Sequence, residues 1–485
     1  MFVGRERELG LLEEKYAASG GQLVFLWGRR RLGKTALLEH FAQGKQSVTF
    51  DCPDLPDFEI YRRFTGAVLG RPENSACRRH TGHGDWEEAF AALGDLAGSR
   101  QRLVVILEDF PLMFRNCPDA VPALVAAWKK KLAGANIMLI LAGSQVSQIQ
   151  QKMLAPDLPL AKILTGSIHL GPLGFYSVRQ FFPDYSYDDQ LAVFGVLGGS
   201  PRYLKQFEPD LPLEENLLRH LLTRDSFLFG EPEFVLRGEL RELATYNFIL
   251  EALARGSGRL CELSRRLSVT ADTAKTSVYL RNLGFLEHVR RLPCVGELKA
   301  GRLPPGRAEF RFSDNFLRFW YYFLFRNVSR LERGEAAAIL EQEIRPAMGA
   351  YLEQIFENVC REYLVIKRDE GSLPVTFGEL GSRWPRIPGS DCGESSQDPD
   401  DEGEIQILGI APGGDSCLAG VARYCGGPLG LEDYFRTAER ASVGAEGQRF
   451  YCLFSGQGFT PDLEKEAARN SSIRLVNLED LAECR

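Results

Sequence analysis

Two stretches carry residues whose types and spacing could do chemistry together. GRRRLGKT, residues 28–35, has the spacing G-x-x-x-x-G-K-[ST]. The glycines let a tight turn bring backbone N–H groups to a phosphate. The lysine reaches the β- and γ-phosphates and the threonine hydroxyl binds Mg²⁺. LVVILEDF, residues 103–110, runs five apolar residues into Glu108 and Asp109. Paired carboxylates at the end of a buried strand hold a metal ion and aim a water molecule at a phosphate. The two stretches predict ATP and Mg²⁺ as ligands. Gly28, Arg29, Arg30, Arg31, Leu32, Gly33, Lys34, Thr35 and Ala36 would surround the phosphates. Thr35 and Glu108 would hold the metal, with Glu108 and Asp109 as the catalytic acids. The three arginines either help to hold nucleotide or face solvent.

Such residues need a rigid frame. QLVFLW (22–27), SVTF (47–50), LVVIL (103–107), IMLILAGS (137–144) and IHLGPL (168–173) are short and apolar. TALLEHFAQ, DWEEAFAALGDLA (85–97) and VPALVAAWKKKLA (121–133) have helical spacing between them. Continuously apolar strands alternating with helices predict an α/β unit whose parallel sheet is covered on both faces. Asp85 with Glu88 three residues on predicts an acidic capping box. The strand ending at Ser144 belongs beside the phosphate loop. Ser144 is either a contact to the γ-phosphate or its water, or an ordinary strand-end turn residue.

Beyond residue 175 the pattern becomes helical: YSVRQFF, DDQLAVFGVL, ENLLRHLL and RGELRELATYNFILEALA. Residues 246–292 give three helices, YNFILEALA, LCELSRRLS and TADTAKTSVYLRNLG, the last capped at Thr270. The strand FLEHVRRL, a Pro/Gly-rich loop and the strand AEFRFS follow. That order is a winged-helix pattern. Its candidate contacts to double-stranded DNA are Lys275 and Arg281 on the third helix and Arg290 and Arg291 on the adjoining strand. The alternative is a packing or protein-interaction module. The aromatic run DNFLRFWYYFLFRN (314–327) has helical spacing and reads as core. IRPAMGAYLEQIFENVCREYL (344–364) is an amphipathic helix, and residues 386–403 are an acidic Pro/Gly-rich insertion. EIQILGIA, SCLAGVARY and QRFYCLFS are strands around the helix LEDYFRTAERA, a second small α/β unit.

The 485 residues exceed one core and predict about three domains. A net charge of -7 gives no global attraction to DNA or to an anionic membrane. MFVGRERELG has no signal-peptide core and no apolar run is long enough to span a bilayer, so a cytoplasmic location is expected. Eleven cysteines without a CxxC pair fit reduced thiols. Cys77, His80 and His83 in CRRHTGH have metal-ligand chemistry but no evident fourth partner, so a polar loop is expected there.

FVGRERELGLLEEKY, GRRRLGKTALLEHF, LVVILEDF, LILAGS, GPLGF with QFFP, GGSPRYL (198–204), FLFGEPEFVL (227–236) and SDNFLRFWYYF (313–323) occur in that order. Together they resemble the archaeal-type ATPase family, found in archaea and bacteria, in the STAND-like branch of the AAA+ superfamily. The resemblance covers nearly the whole chain. It implies a P-loop ATPase core over 1–174, a helical lid over 175–240 and a winged helix over 241–313. An aromatic-rich connector over 314–343 and a restriction-endonuclease-like domain over 344–485 would follow. It also implies that Phe2, Val3, Gly4 and Arg5 wrap the adenine, and that Gly199, Ser200 and Pro201 approach the nucleotide.

The sequence departs from the family's pattern in three places. The usual Asp-Glu pair is inverted as Glu108–Asp109. Glu is one methylene long for the tight octahedral shell of Mg²⁺, and Asp one methylene short for the attacking water. In PLAKILTG (159–166), Ile163 and Leu164 stand where related sequences carry arginine. Lys162 beside them is a point charge that replaces a bidentate fork only in part. In the tail, the helical acid is kept as Glu357, but Gln406, Val421 and Arg423 replace an Asp, a Glu and a Lys. An apolar Val cannot bind a metal and a neutral Gln binds Mg²⁺ poorly. The resemblance thus implies an ATP-binding regulator with impaired hydrolysis and an inactive nuclease-like tail. The alternatives are an active DNA-associated ATPase and a non-enzymatic scaffold for self-association or protein partners.

Overall fold

The computed structural model describes residues 2–70, 85–98, 101–240, 242–267, 273–291, 309–378, 380–383, 405–442 and 447–484. The triplet Cys77, His80 and His83, the cap at Thr270 and the insertion 386–403 lie outside the described residues. The chain forms two compact units, Met1–Leu173 with Ser200–Arg202, and Gly174–Gly199 with Tyr203–Arg485.

In the first unit, β1 (Gln22–Trp27), β2 (Ser47–Asp51), β3 (Leu103–Glu108), β4 (Ile137–Gly143) and β5 (Gly166–His169) form one sheet. All pairings are parallel and the order is β2-β3-β4-β1-β5. The helices are α1 (Glu6–Ala17), α2 (Lys34–Ala42), α3 (Asp57–Leu69), α4 (Trp86–Leu96), α5 (Phe110–Asn116), α6 (Ala120–Lys130) and α7 (Val146–Lys152). Strand alternation explains the apolar runs. Leu23, Phe25, Val105 and Leu139 face Phe64, Trp86, Phe90 and Trp128. Val24, Leu26, Ile106 and Ile140 face Leu12, Leu37 and Phe41 on the other side. Each such side chain contributes about 1.5–3 kcal/mol by leaving water. Asp85 caps α4 by accepting from Glu88 N at 3.1 Å.

The fifth strand is shorter than the run 168–173 suggests. Leu170 N makes a last bond to Trp27 O at 2.7 Å. Gly171 and Pro172 then end the pairing, because proline cannot donate to a ladder.

The second unit is mostly helical before its own sheet. The stretch 237–254, read as part of one helix, is broken. A helix over Phe227–Glu239 stops at Leu240, whose φ of -122 and ψ of 138 are extended. Gly238 weakens that helix's last turn. Then come α8 (Leu243–Ala254), α9 (Leu260–Leu267) and α10 (Thr273–Phe285). An antiparallel pair follows, β6 (Val289–Arg291) with β7 (Phe310–Phe312). The expected strand FLEHVRRL is largely a correction. Helix α10 runs through Phe285, and Glu287 turns the chain with φ 59, leaving three residues for the strand.

The aromatic run is core. Phe316, Phe319, Trp320, Tyr321 and Phe323 are buried near α11 (Arg345–Asp369), whose Tyr351 hydroxyl donates to Gly195 O at 2.7 Å. The C-terminal sheet comprises β8 (Leu380–Arg383), β9 (Ile405–Ile410), β10 (Ser416–Arg423), β11 (Gln448–Ser455) and β12 (Ile473–Val476). Its order is β12-β11-β10-β9-β8, parallel from β10 to β12 and antiparallel from β8 to β10. Among the described residues no helix is long and apolar enough to cross a membrane.

Candidate functional site

The loop after β1 opens at the carboxyl edge of the first sheet and runs directly into α2. Gly28 is there because nothing larger fits. A Cβ would meet Leu170 O at 2.2 Å, and φ is 154. Arg31 (φ 71) and Gly33 (φ 90) are both left-handed. That backbone costs Arg31 about 1 kcal/mol, so its surroundings must hold it. Ser200 does so, its hydroxyl donating to Arg31 O at 3.0 Å. Pro201 Cγ lies 3.7 Å from where a Gly33 Cβ would stand.

Lys34 is buried and folds back over the loop, donating to Gly28 O and Arg29 O at 2.8 Å each. Leu32 is buried, Arg29 and Arg31 are half-buried, and Arg30 and Ala36 are exposed. Arg5 is buried beside the loop. Its guanidinium donates to Leu32 O at 3.0 Å and Gly171 O at 2.8 Å, bracing the loop from behind. Backbone carbonyls are fixed acceptors, so Arg5 is a positioning residue here. Val3 and Gly4 are half-buried, and Phe2 stacks on His40 with ring centroids 4.2 Å apart.

Beside the loop lie three acidic residues, Asp51, Glu108 and Asp109. Thr35 Oγ1 donates to Glu108 Oε2 at 2.5 Å, so the two residues picked for the metal touch. Asp51 is paired with Glu108 across β2 and β3. Sequence reasoning missed Asp51 by ending β2 at Phe50; the acid directly after SVTF was the available clue. Asp109 follows with φ 45 and ψ 37 at the head of α5. Aspartate tolerates this conformation better than most residues. Burial pushes the Glu108 carboxyl above its ordinary range; Asp51 and Asp109 add repulsion, while the Thr35 hydroxyl opposes the shift. Burial, then Asp109, also raises Asp51. Thr35 Oγ1 and Glu108 Oε2 are hard oxygen atoms of the kind Mg²⁺ takes, though among the described residues no group of three or more acidic, His or Cys side chains is set for a metal. Lys34 and the Thr35–Glu108 pair stand at the same end of the loop.

Ser144 follows β4, which lies between β3 and β1, and its carbonyl accepts from Val146 N at 3.1 Å as a turn residue. Ile163 and Leu164 pack against the core face that holds Phe25, and Lys162 is exposed.

The raised Glu108 carboxyl has a consequence for stability. An acid whose folded pKa exceeds its unfolded value opposes folding once it is ionised. The contribution of Glu108 to the stability of the nucleotide-free protein should become less unfavourable as pH falls and it takes up its proton. Glu108→Gln keeps an acceptor for Thr35 and removes the charge. Its melting temperature at pH 7 should exceed that of the natural chain, and the gap should close toward pH 4. A lower melting temperature for Glu108→Gln at pH 7 would contradict this.

The second unit places the remaining candidates. Lys275 and Arg281 are exposed on α10, and Arg291 is exposed on β6. Arg290 is turned toward the chain itself, its Nη2 donating to Asn358 Oδ1 on α11 at 2.8 Å. Glu357 is buried, accepts from Arg311 Nη1 at 3.0 and 3.1 Å, and forms an ion pair with Arg361 Nη2 at 2.5 Å. Gln406 Oε1 accepts from Ala422 N at 2.8 Å. Arg423 meets both oxygens of Asp433 at 2.5 and 3.1 Å, and Val421 is half-buried.

A family of archaeal and bacterial proteins of unknown function matches residues 320–424. An uncharacterised protein of Methanocaldococcus jannaschii is 28% identical over 387 residues, which is 80% of this chain and 82% of that protein. An uncharacterised ATP-binding protein of the same organism is 46% identical over 46 residues, 10% of this chain and 78% of that one. Among solved structures, a Walker-type ATPase of Pyrococcus abyssi aligns with a TM-score of 0.48 and 18% identity. It covers 65% of this chain and 95% of its own.

Proposed function

We propose, for a chain that belongs to an archaeal ATPase-like family, that it binds ATP with Mg²⁺ and hydrolyses it slowly. The observation that carries the reading is the Thr35–Glu108 contact beside a loop over which Lys34 is folded. Loop N–H groups at the start of α2 and the Lys34 ammonium would bind the phosphates. Thr35 and Glu108 would hold Mg²⁺, which neutralises charge on the phosphate oxygens when bound. Asp109 would orient water, but its side chain is one methylene shorter than the usual Glu and reaches less far toward it. Ile163 and Leu164 offer no charge to the transition state. Each departure would lower the rate, and neither removes the loop N–H groups or the Lys34 ammonium that would bind the phosphates.

We read the chain further as a STAND-like AAA+ protein. The order α8, α9, α10 and the β6–β7 hairpin supports a winged helix, and the exposed Lys275, Arg281 and Arg291 support a contact to duplex DNA. The sheet β8–β12 with α11 is read as a restriction-endonuclease-like fold without nuclease activity. Gln406 is committed to Ala422 N, Arg423 to Asp433, and Val421 has no ligating atom.

The test is ATP binding beside ATP turnover on the full chain. Calorimetry should give saturable Mg·ATP binding that Lys34→Ala removes. Turnover should stay below about 0.1 s⁻¹, against the 1–10³ s⁻¹ usual for enzymes. Turnover in the usual range would refute impaired hydrolysis, and failure to bind ATP would leave the scaffold reading.

A further inference from the structure

The second unit contains a cluster of arginines that ATP chemistry does not use. Arg290 on β6, Arg311 on β7 and Arg361 on α11 gather around Glu357. Arg311 is held by Glu357 and by Glu309, the latter at 2.8 Å. Arg361 is held by Glu357 at 2.5 Å, Gln406 O at 2.5 Å and Ser382 Oγ at 3.0 Å. Its buried Nε has no hydrogen-bond partner among the described residues. Arg290 is the exposed member, and the group that orients it, Asn358, is a neutral amide. Among the described residues Glu357 and Glu309 pair with Arg311, Glu357 also pairs with Arg361, and Arg290 at the exposed end has the neutral Asn358 as its hydrogen-bond partner. Partial burial lowers the Arg290 pKa, and repulsion from Arg361 and Arg311 lowers it further. An anion at that position would relieve the repulsion.

We propose that Arg290, backed by Arg311 and Arg361, is an oxyanion site built for a phosphate group. A guanidinium fork matches phosphate in a bidentate manner and stays charged, which an ammonium does less specifically. Glu357 keeps two of the cations in place before any ligand arrives, so binding need not order them. Asn358 fixes the third. The shared chemistry is that of a nucleic-acid backbone phosphate and a free phosphate ester. The site is separate from the phosphate loop and does not depend on ATP being bound there.

The test compares the full natural chain with Arg290→Gln, a change at an exposed side chain. Inorganic phosphate is titrated while thermal unfolding and heats of binding are followed, with chloride at matched ionic strength as control. The phosphate loop contributes equally to both proteins, so the difference between them isolates this site. The natural chain should show an extra saturable phosphate response whose affinity falls about tenfold in Arg290→Gln, the effect of one charge-assisted bond. Arg290→Lys should recover part of it. Identical phosphate responses in the two proteins would overturn the proposal, as would an equal response to chloride. A duplex of defined length then identifies the source. Duplex binding whose salt slope drops by about one in Arg290→Gln marks a backbone phosphate. Phosphate binding without duplex binding marks a free phosphate ester.

Discussion

Exchanging the two acids at the end of β3, as Glu108→Asp with Asp109→Glu, raises ATP hydrolysis by about ten- to a hundredfold, since catalysis here is mostly positioning. ATP affinity should change by less than about threefold, because the loop N–H groups and Lys34 proposed to bind the phosphates do not depend on these acids. Glu108 reaches the Thr35 hydroxyl directly at 2.5 Å. Shortening it by one methylene leaves room for the water shell that Mg²⁺ keeps. Lengthening Asp109 brings a carboxylate nearer the attacking water. The exchange has a structural cost. Residue 109 has φ 45, where glutamate is less at ease than aspartate, so stability falls by about 1 kcal/mol. A faster but less stable enzyme is therefore expected. Single-turnover rates and equilibrium ATP titrations on both proteins decide it. An exchanged pair that binds ATP normally and hydrolyses no faster would place the rate deficit elsewhere, first at Ile163 and Leu164.

The sequence made the first sheet legible because burial on both faces leaves continuous apolar runs, as in LVVIL and IMLILAG. The loop announced itself by residue types that only phosphate chemistry needs together. What could not be read is what depends on contacts distant along the chain. Ser200 fixes the strained Arg31 from 169 positions away, and Arg5 braces Leu32 and Gly171. Neither bond leaves a periodic trace. Asp51 became a site candidate only when register placed it beside Glu108. Short polar strands were lost for a related reason. FLEHVRRL has the apolar content of a strand, yet α10 takes its first residue and a turn takes Glu287, because tertiary packing outweighs local preference. Arg290 read from sequence as a candidate contact to DNA, and only the fold shows it held by Asn358 beside two other arginines.

Glu357→Ala should destabilise the protein by about 3–5 kcal/mol, the usual result of removing one partner from a buried ionic cluster. The sequence offered Glu357 as a nuclease's metal acid, whereas its surroundings make it a counter-ion. The two roles predict opposite signs. A carboxylate kept for a metal repels its neighbours in metal-free buffer, so its removal would stabilise the protein, and added Mg²⁺ would raise the melting temperature of the natural chain through it. A carboxylate that neutralises Arg311 and Arg361 leaves both half-buried and repelling one another when it is removed. Burial by itself would raise the Glu357 pKa, but Arg361 and Arg311 outweigh it and hold the group below the ordinary range. A depressed folded pKa contributes stability above the unfolded value of about 4.3 and loses it as pH falls through the folded one. The difference between the natural chain and Glu357→Ala should therefore be full at pH 7 and shrink below about pH 4. Urea unfolding at the two pH values measures it. A stabilised Glu357→Ala at pH 7 would return Glu357 to the metal role and remove the frame on which the Arg290 site rests.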